Sequence, residues 1–341
     1  MKNKLKFKSK NLNYILIFLL TIGVLYFALK DNFEEIVEHL LNLNIWWIII
    51  GFVLIIGYWF FSSLSMYNIA KKFEDKISFK ELFNINVVTH FFNGVTPFAS
   101  GGQPYQIYAL NKQKIDVVDA TNICVQNFVA YQLALILLGT IAIIANNIFN
   151  IFPDIKILKI FVLVGYLVNL SVAGGLFAIS FTQKFNRFIL KCLITLGSKL
   201  KIIKDKDATI NRFNAHVSHF HDCTKLLLQD KKNLIKVVCY NLIGLVCNYA
   251  IPLAILYSMA DYTSMNFHTV VFASAYVMII GAFIPLPGGT GGLEYSFMAF
   301  FKNFVVDGKL SALMLIWRFI TYYFGMIVGA VTLNFGRRKE K

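Results

Sequence analysis

Charge is scarce in this sequence, and acidic charge scarcer still. Of 341 residues only 15% are Asp, Glu, Lys or Arg and 57% are hydrophobic, where a soluble domain carries about 25% charged and about 45–50% apolar residues. That shortage excludes an ordinary water-soluble globule, and the grouping of the apolar residues into long blocks excludes a disordered chain. The five cysteines, Cys124, Cys192, Cys223, Cys239 and Cys247, show no C-x-x-C or paired spacing. A disulfide framework is therefore not expected, and they read as reduced packing residues. No Gly-Lys-Ser/Thr follows any glycine run, so there is no nucleotide P-loop. Nothing resembles a Ser-His-Asp or Cys-His constellation, and His216, His219 and His221, at i, i+3 and i+5, do not share one helical face as metal ligands would. Catalytic residues, metal sites and cofactors are therefore not expected.

What is present is apolar sequence, with a mean hydropathy of +0.62. At about 20 residues per crossing, the length allows about six to eight spans. Full spans are expected over 14–29, 46–70, 117–145, 158–181, 234–259 and 311–335. The 33 Lys and Arg against 18 Asp and Glu, net +15, would suggest nucleic acid in a soluble protein. Here the excess marks cytoplasmic loops held against an anionic leaflet, and no direct nucleic-acid partner is expected.

The orientation follows from the loops. Lys2, Lys4, Lys6, Lys8 and Lys10 precede the first span, while Asp31, Glu34, Glu35 and Glu38 follow it, so the chain starts inside and emerges outside. No small-residue cleavage site follows that span, so it is read as a retained helix. The second span opens on Trp46 and Trp47 and closes on Lys71 and Lys72, as a helix returning to the cytoplasm does. Segment 182–232 is basic throughout, and Phe185, Phe188, Ile189, Cys192, Leu193, Leu196 and Leu200 recur at helical spacing, which suits either a helix lying in the headgroup layer or a connecting helix packed on the protein. The tail is basic again at Arg337, Arg338 and Lys339, so both termini are expected to be cytoplasmic and the number of full crossings even.

That parity isolates two further apolar segments, 79–110 and 267–304, each broken by glycine and proline. The first contains Thr96-Pro97-Phe98-Ala99-Ser100-Gly101-Gly102-Gln103-Pro104-Tyr105 and has lysines on both flanks. The second contains Pro285-Leu286-Pro287-Gly288-Gly289-Thr290-Gly291-Gly292-Leu293-Glu294. One hairpin is expected to dip from each side, as in an inverted repeat whose paired interrupted helices mark a site near the midplane. Backbone without helix at that depth must be buried in protein or line a wet cavity. The same residues would also permit tight helix crossings or kinks; two breaks in opposed topology favour the cavity. Short helices are expected to start at about 104 and 293, with N–H groups and positive dipole ends available to an anion.

The fold class read from the sequence is thus all-α and polytopic, with six full transmembrane helices and two opposed re-entrant hairpins. A basic tail (1–12), a first membrane half (13–181), a cytoplasmic basic segment (182–232), a second membrane half (233–335) and a basic tail (336–341) make up the chain. All but a few charges fall in loops, and two of the exceptions matter most. Glu294 sits in the first turn of the second short helix, and Arg318 lies roughly 10 Å into the last span, where it reaches Glu294 or an anionic headgroup, or snorkels outward. Gln103, Tyr105, Gln106 and Tyr322 add neutral hydrogen-bonding groups. His90 is more simply a bonded structural residue.

These motifs, with Arg318-Phe319-Ile320-Thr321-Tyr322-Tyr323, resemble the lysylphosphatidylglycerol synthase transmembrane-domain family, also described as flippase-like, over about residues 10–336. By position, the family's Pro-Gly-Gly and Glu motif falls on Pro287, Gly288, Gly289 and Glu294, and its Gly-Gly motif on Gly101 and Gly102. Many relatives carry an acid followed by Arg after the first motif, where this chain has Gln103 and Gln106. The resemblance implies a multi-pass module of the bacterial inner membrane that moves an anionic or aminoacylated phospholipid, such as lysylphosphatidylglycerol, between leaflets and so lowers sensitivity to cationic peptides. Its site is expected at Gly101, Gly102, Gln103, Tyr105, Gln106, Pro287, Gly288, Gly289, Gly291, Gly292, Glu294, Arg318 and Tyr322. Only 336–341 follow the last span, so lipid modification of the phosphatidylglycerol lysyltransferase type is the alternative only together with a separate aminoacyl-lipid synthase. The oligomeric state stays open.

Overall fold

The computed structural model describes residues 33–152, 156–181, 230–281 and 284–339, and the regular structure there is helical. In order come α1 (Phe33–Leu41), α2 (Ile45–Ala70), α3 (Phe79–Val95), α4 (Gly102–Lys112), α5 (Val117–Phe149), α6 (Lys156–Phe181), α7 (Lys231–Tyr249), α8 (Ile251–Ser258), α9 (Phe267–Gly281), α10 (Gly292–Phe301), α11 (Asp307–Arg318) and α12 (Phe324–Lys339). Tight 3-10 turns occupy Pro97–Ala99 and Pro287–Gly289, and a π turn at Phe319–Tyr323 joins α11 to α12.

Five stretches among the described residues are long and apolar enough to cross a membrane: Ile45–Ala70, Val117–Phe149, Leu158–Gly175, Lys231–Ser258 and Gly308–Phe335. The chain is an all-α, multi-pass membrane protein. The expected span 14–29, the amphipathic face of the basic segment and the three histidines near 216 lie outside the described residues.

Two spans are less regular than their hydropathy suggests. Pro252 has no N–H to donate, and the helix breaks between Tyr249 and Ile251 just ahead of it. The last span carries the π turn immediately after Arg318. Elsewhere the helix starts follow ordinary capping. The Asn44, Asp116 and Asp230 side chains accept from the first turns of α2, α5 and α7, and Ser78 and Glu81 form a capping box at α3.

Packing sorts the molecule into two ends. At one, Met66, Ile69 and Ala70 from α2 meet Ile77, Leu82, Leu110, Ile115, Ala120 and Val237, and Lys72 pairs with Asp230 at 2.8 Å. Both arms of the first broken segment, α3 and α4, therefore end here. At the other end the Asn44 N–H donates to the Ser258 carbonyl at 2.8 Å, Trp47 meets Tyr257 edge-on, and Met265, Phe301, Val305 and Leu310 join the larger apolar core. Both arms of the second segment, α9 and α10, end on this side. Within each segment the two arms pack on one another.

A polar knot holds that second end. The buried Asp261 carboxylate accepts from Lys309 Nζ at 3.0 Å and from Ser264 Oγ at 2.7 Å. Burial raises its pKa, but the bonds from Ser264 and Lys309 outweigh this and hold it below the ordinary carboxylate value. A carboxylate depressed on folding adds stability above its unfolded pKa of about 3.9, and that stability is lost as pH falls through the folded value. Asp261→Asn protein is therefore expected to lose thermal stability at pH 6 and to show a shallower fall in melting temperature between pH 5 and pH 3 than the parent. Parallel melting curves across that range would remove Asp261 as the acid-sensitive group.

Candidate functional site

The two broken segments meet at their breaks. Thr96 and Leu286 are extended (φ −118°, ψ 144° and φ −98°, ψ 147°), as residues before proline prefer, and this ends α3 and precedes the second turn. After each proline come two left-handed residues, Phe98 (φ 54°) and Ala99 (φ 50°) in the first turn, Gly288 (φ 62°) and Gly289 (φ 63°) in the second. The Ser100 and Thr290 N–H groups then donate back to the carbonyls of Pro97 and Pro287 at 3.1 and 3.3 Å. The two turns thus share one register, Pro-x-x-Ser/Thr-Gly-Gly, and they pack directly on each other.

Arg318 binds the second turn from the side. Its Nε donates to Glu294 Oε1 at 2.5 Å and its Nη2 to the Gly288 carbonyl at 2.9 Å, with side-chain exposures of only 7% for Arg318 and 12% for Glu294. The other carboxylate oxygen of Glu294 accepts the Gly291 N–H at 2.7 Å. Tyr322, four residues beyond Arg318, lies with its ring 5.0 Å from the guanidinium and donates its hydroxyl to the Gly94 carbonyl at 2.9 Å. One helix therefore holds both breaks, the second through Arg318 and the first through Tyr322. An isolated arginine within a span costs at least a few kcal/mol; here a carboxylate, a carbonyl and two aromatic rings, Trp317 and Tyr322, surround it.

The start of α4 is capped from within. The Gly101 N–H donates to Thr96 Oγ1 at 2.8 Å and the Gly102 N–H to Asn93 Oδ1 at 2.9 Å. A Cβ on Gly102 would strike Asn93 and Thr89, so this glycine is required by the close return of α4 onto α3. The short helices begin at Gly102 and Gly292 rather than at 104 and 293, and the foremost N–H groups expected to face an anion are engaged by Thr96, Asn93 and Glu294. Further along α4, Gln103 is exposed, Tyr105 stacks on Phe92 with ring centroids 4.7 Å apart, and Gln106 is buried.

Of the residues singled out from sequence, Gly288, Gly291, Glu294, Arg318 and Tyr322 are joined by hydrogen bonds or ring contact into one cluster, with Pro287 and Gly289 in the same turn. Gly101, Gly102 and Gly292 lie at the adjoining helix starts, and Gln103, Tyr105 and Gln106 on α4. Sequence reasoning missed Gly94, Asn93 and Thr96. The repeated Pro-x-x-Ser/Thr-Gly-Gly register was the available signal for the paired turns, because it places Phe98 and Ala99 where the other copy has two glycines.

Comparison with known proteins finds relatives among membrane proteins. A UPF0104 membrane protein of Archaeoglobus fulgidus is 24% identical over 327 residues, covering 95% of this chain and 97% of that protein. The family model described as the lysylphosphatidylglycerol synthase TM region matches residues 14–329, and the chain belongs to that family.

Proposed function

We propose that the protein moves an anionic or aminoacylated phospholipid, such as lysylphosphatidylglycerol, between the leaflets of a bacterial inner membrane. In this reading it has six full crossings, cytoplasmic termini and two opposed re-entrant hairpins related as an inverted repeat, one in each membrane half. The observation that carries it is the meeting of two similar turns around one buried ion pair. Family membership supports a lipid-handling membrane role. The orientation is supported by Lys71, Lys72, Lys112, Lys114, Lys231 and Lys232, which flank the elements converging on the Lys72–Asp230 end.

The chemistry follows from what Arg318 touches. A lipid phosphate is a stronger partner for a guanidinium than the Gly288 carbonyl, and binds it in forked geometry. As phosphate takes Arg318, the bond to Gly288 is given up and the second turn is released from the last helix. Glu294 keeps the Gly291 N–H at the start of α10, so its carboxylate stays anchored to the second turn as the arginine turns to the phosphate. Tyr322 still ties the first turn through Gly94, so the two breaks separate and the lipid headgroup passes between them. A second reading, favoured by the family's description as a synthase membrane region, pairs this module with a separate synthase that makes the aminoacylated lipid.

The test is leaflet exchange. Full-length protein in vesicles with a trace of fluorescent phosphatidylglycerol is expected to expose the inner-leaflet label to a membrane-impermeant quencher at least tenfold faster than protein-free vesicles do. Quenching that stops at the outer leaflet, with or without added lysylphosphatidylglycerol, would end the translocator reading.

A further inference from the structure

The last span is continuous in hydropathy but carries one residue more than an α-helix needs. Across Phe319–Tyr323 the backbone makes a π turn, and the Phe324 N–H donates to the Phe319 carbonyl, five residues back rather than four. The Thr321 hydroxyl donates to the Trp317 carbonyl at 2.7 Å, at the amino-terminal edge of the turn. Arg318 stands immediately before this turn and Tyr322 within it. The surplus residue thus lies between the two side chains that hold the two breaks.

The helix on either side is anchored. Before the turn, Lys309 is bound to Asp261 at 3.0 Å, Trp317 stacks on Phe297 with ring centroids 4.5 Å apart, and Leu310, Ala312, Leu313 and Met314 are at most 2% exposed. Beyond it, α12 lies so close to α3 that side chains are excluded from part of their contact. A Cβ on Gly329 would stand 2.8 Å from the Val87 carbonyl oxygen and one on Gly325 3.4 Å from the His90 Cβ, while Met326 fills the space beside Gly94. Glycines four apart let the two backbones meet, as in tightly crossing membrane helices. Neither α11 nor α12 can roll as a body without breaking these contacts.

The slack between the anchored flanks is the surplus residue itself. An extra residue offsets the helical register on its two sides by about 100° of rotation and about 1.5 Å of rise. When such a turn passes one step along a helix, the residue it crosses changes from one register to the other while both flanks stay where they are. Each backbone bond broken ahead of the turn is replaced behind it, so the passage loses none. Arg318 is the first residue that a step toward the amino end would cross.

We propose that the π turn is the moving part of the site. It passes Arg318 when an anion claims the guanidinium, and turns that side chain by about 100° off Gly288 and Glu294, while α11, α12 and the bond from Tyr322 to Gly94 stay in place. This rests on the translocator reading and supplies its motion, a register change of single residues in place of a rocking of helices.

Deletions test the surplus. Without Thr321 the flanks join as unbroken α-helix in their present registers, so the protein is expected to melt within about 3 °C of the parent. Its leaflet exchange is slowed about tenfold or more, because Arg318 can no longer turn. Deleting Ala312, buried two turns earlier in α11, rotates its neighbours off their partners and lowers the melting temperature by about 10 °C or more. Equal damage from both deletions, or parental exchange without Thr321, overturns the proposal.

A cross-link tests the fixed flank. His90→Cys with Gly325→Cys, in a chain whose five native cysteines are replaced by serine, sets two Cβ atoms close to disulfide spacing. Oxidation is expected to leave exchange within about twofold of the reduced form; exchange lost on oxidation means that α12 moves against α3, which overturns the proposal. A third readout needs no transport. Short-chain phosphatidylglycerol added to the detergent-solubilised full chain is expected to speed amide hydrogen exchange severalfold across 316–321 and to leave 325–332 unchanged. A change spreading through α12, or none anywhere, overturns the proposal. Parent protein that exchanges no lipid in vesicles ends the translocator reading, and the hydrogen-exchange result still judges the turn.

Discussion

Glu294→Gln is expected to abolish leaflet exchange and to lower the melting temperature of the purified protein sharply. Arg318 and Glu294 are almost wholly enclosed, and neutralising one partner leaves the other charge in a medium that solvates it poorly. Breaking a buried pair this way costs about 3–5 kcal/mol, a large share of the roughly 5–15 kcal/mol that holds most folds together. Arg318→Ala should fail similarly, and it also frees the Gly288 carbonyl. Loss of activity alone would not separate function from stability, so the informative protein is the double replacement Glu294→Leu with Arg318→Met. A buried pair exchanged for apolar side chains of similar size is commonly neutral or stabilising, so the double variant should recover most of the melting temperature of the parent while exchanging no lipid. Exchange that survives in the double variant would show that the pair only braces the helices.

Gly288→Ala is the second large effect. Gly288 has φ 62°, and a side chain there pays about 1–2 kcal/mol for the left-handed conformation. Its Cβ would also enter the Tyr322 ring, which must swing away and give up the bond to Gly94. The expected outcome is a melting temperature lower by several degrees and exchange reduced at least tenfold, with partial recovery of stability when Tyr322→Ala makes room. The mirror change, Ala99→Gly in the first turn, should be tolerated, since Ala99 already sits at φ 50° and glycine relieves that strain. If Gly288→Ala behaved as mildly as Ala99→Gly, the second turn would have room to spare and would not be the latch.

Much of this was legible before any coordinates. Apolar blocks and their flanking charges located the five described spans, because burial in lipid is written in local composition. Gly and Pro located both breaks, since their backbone preferences are properties of single residues. What stayed hidden depends on partners distant in the chain. The Tyr322–Gly94 bond joins residues 228 apart, and no periodicity announces it. The sequence places the short-helix starts at about 104 and 293 with open N–H groups, but they begin at Gly102 and Gly292, and Thr96 and Asn93 return to cap the first of them. Phe98 and Ala99 gave no local hint of left-handed backbone; only alignment with the second turn does. The kink before Pro252 and the π turn beyond Arg318 were likewise absorbed into spans whose average hydropathy looked uniform.

The mutual cancellation of Glu294 and Arg318 also fixes how a membrane potential would act. The two opposite charges part when phosphate takes Arg318 and rejoin when the lipid leaves, so over a full cycle no net protein charge crosses the electric field and voltage does net work only on the lipid. A singly charged anion would then gain or lose about 2.3 kcal/mol per 100 mV for a full crossing, and an interior negative potential would favour its delivery to the outer face without any pump.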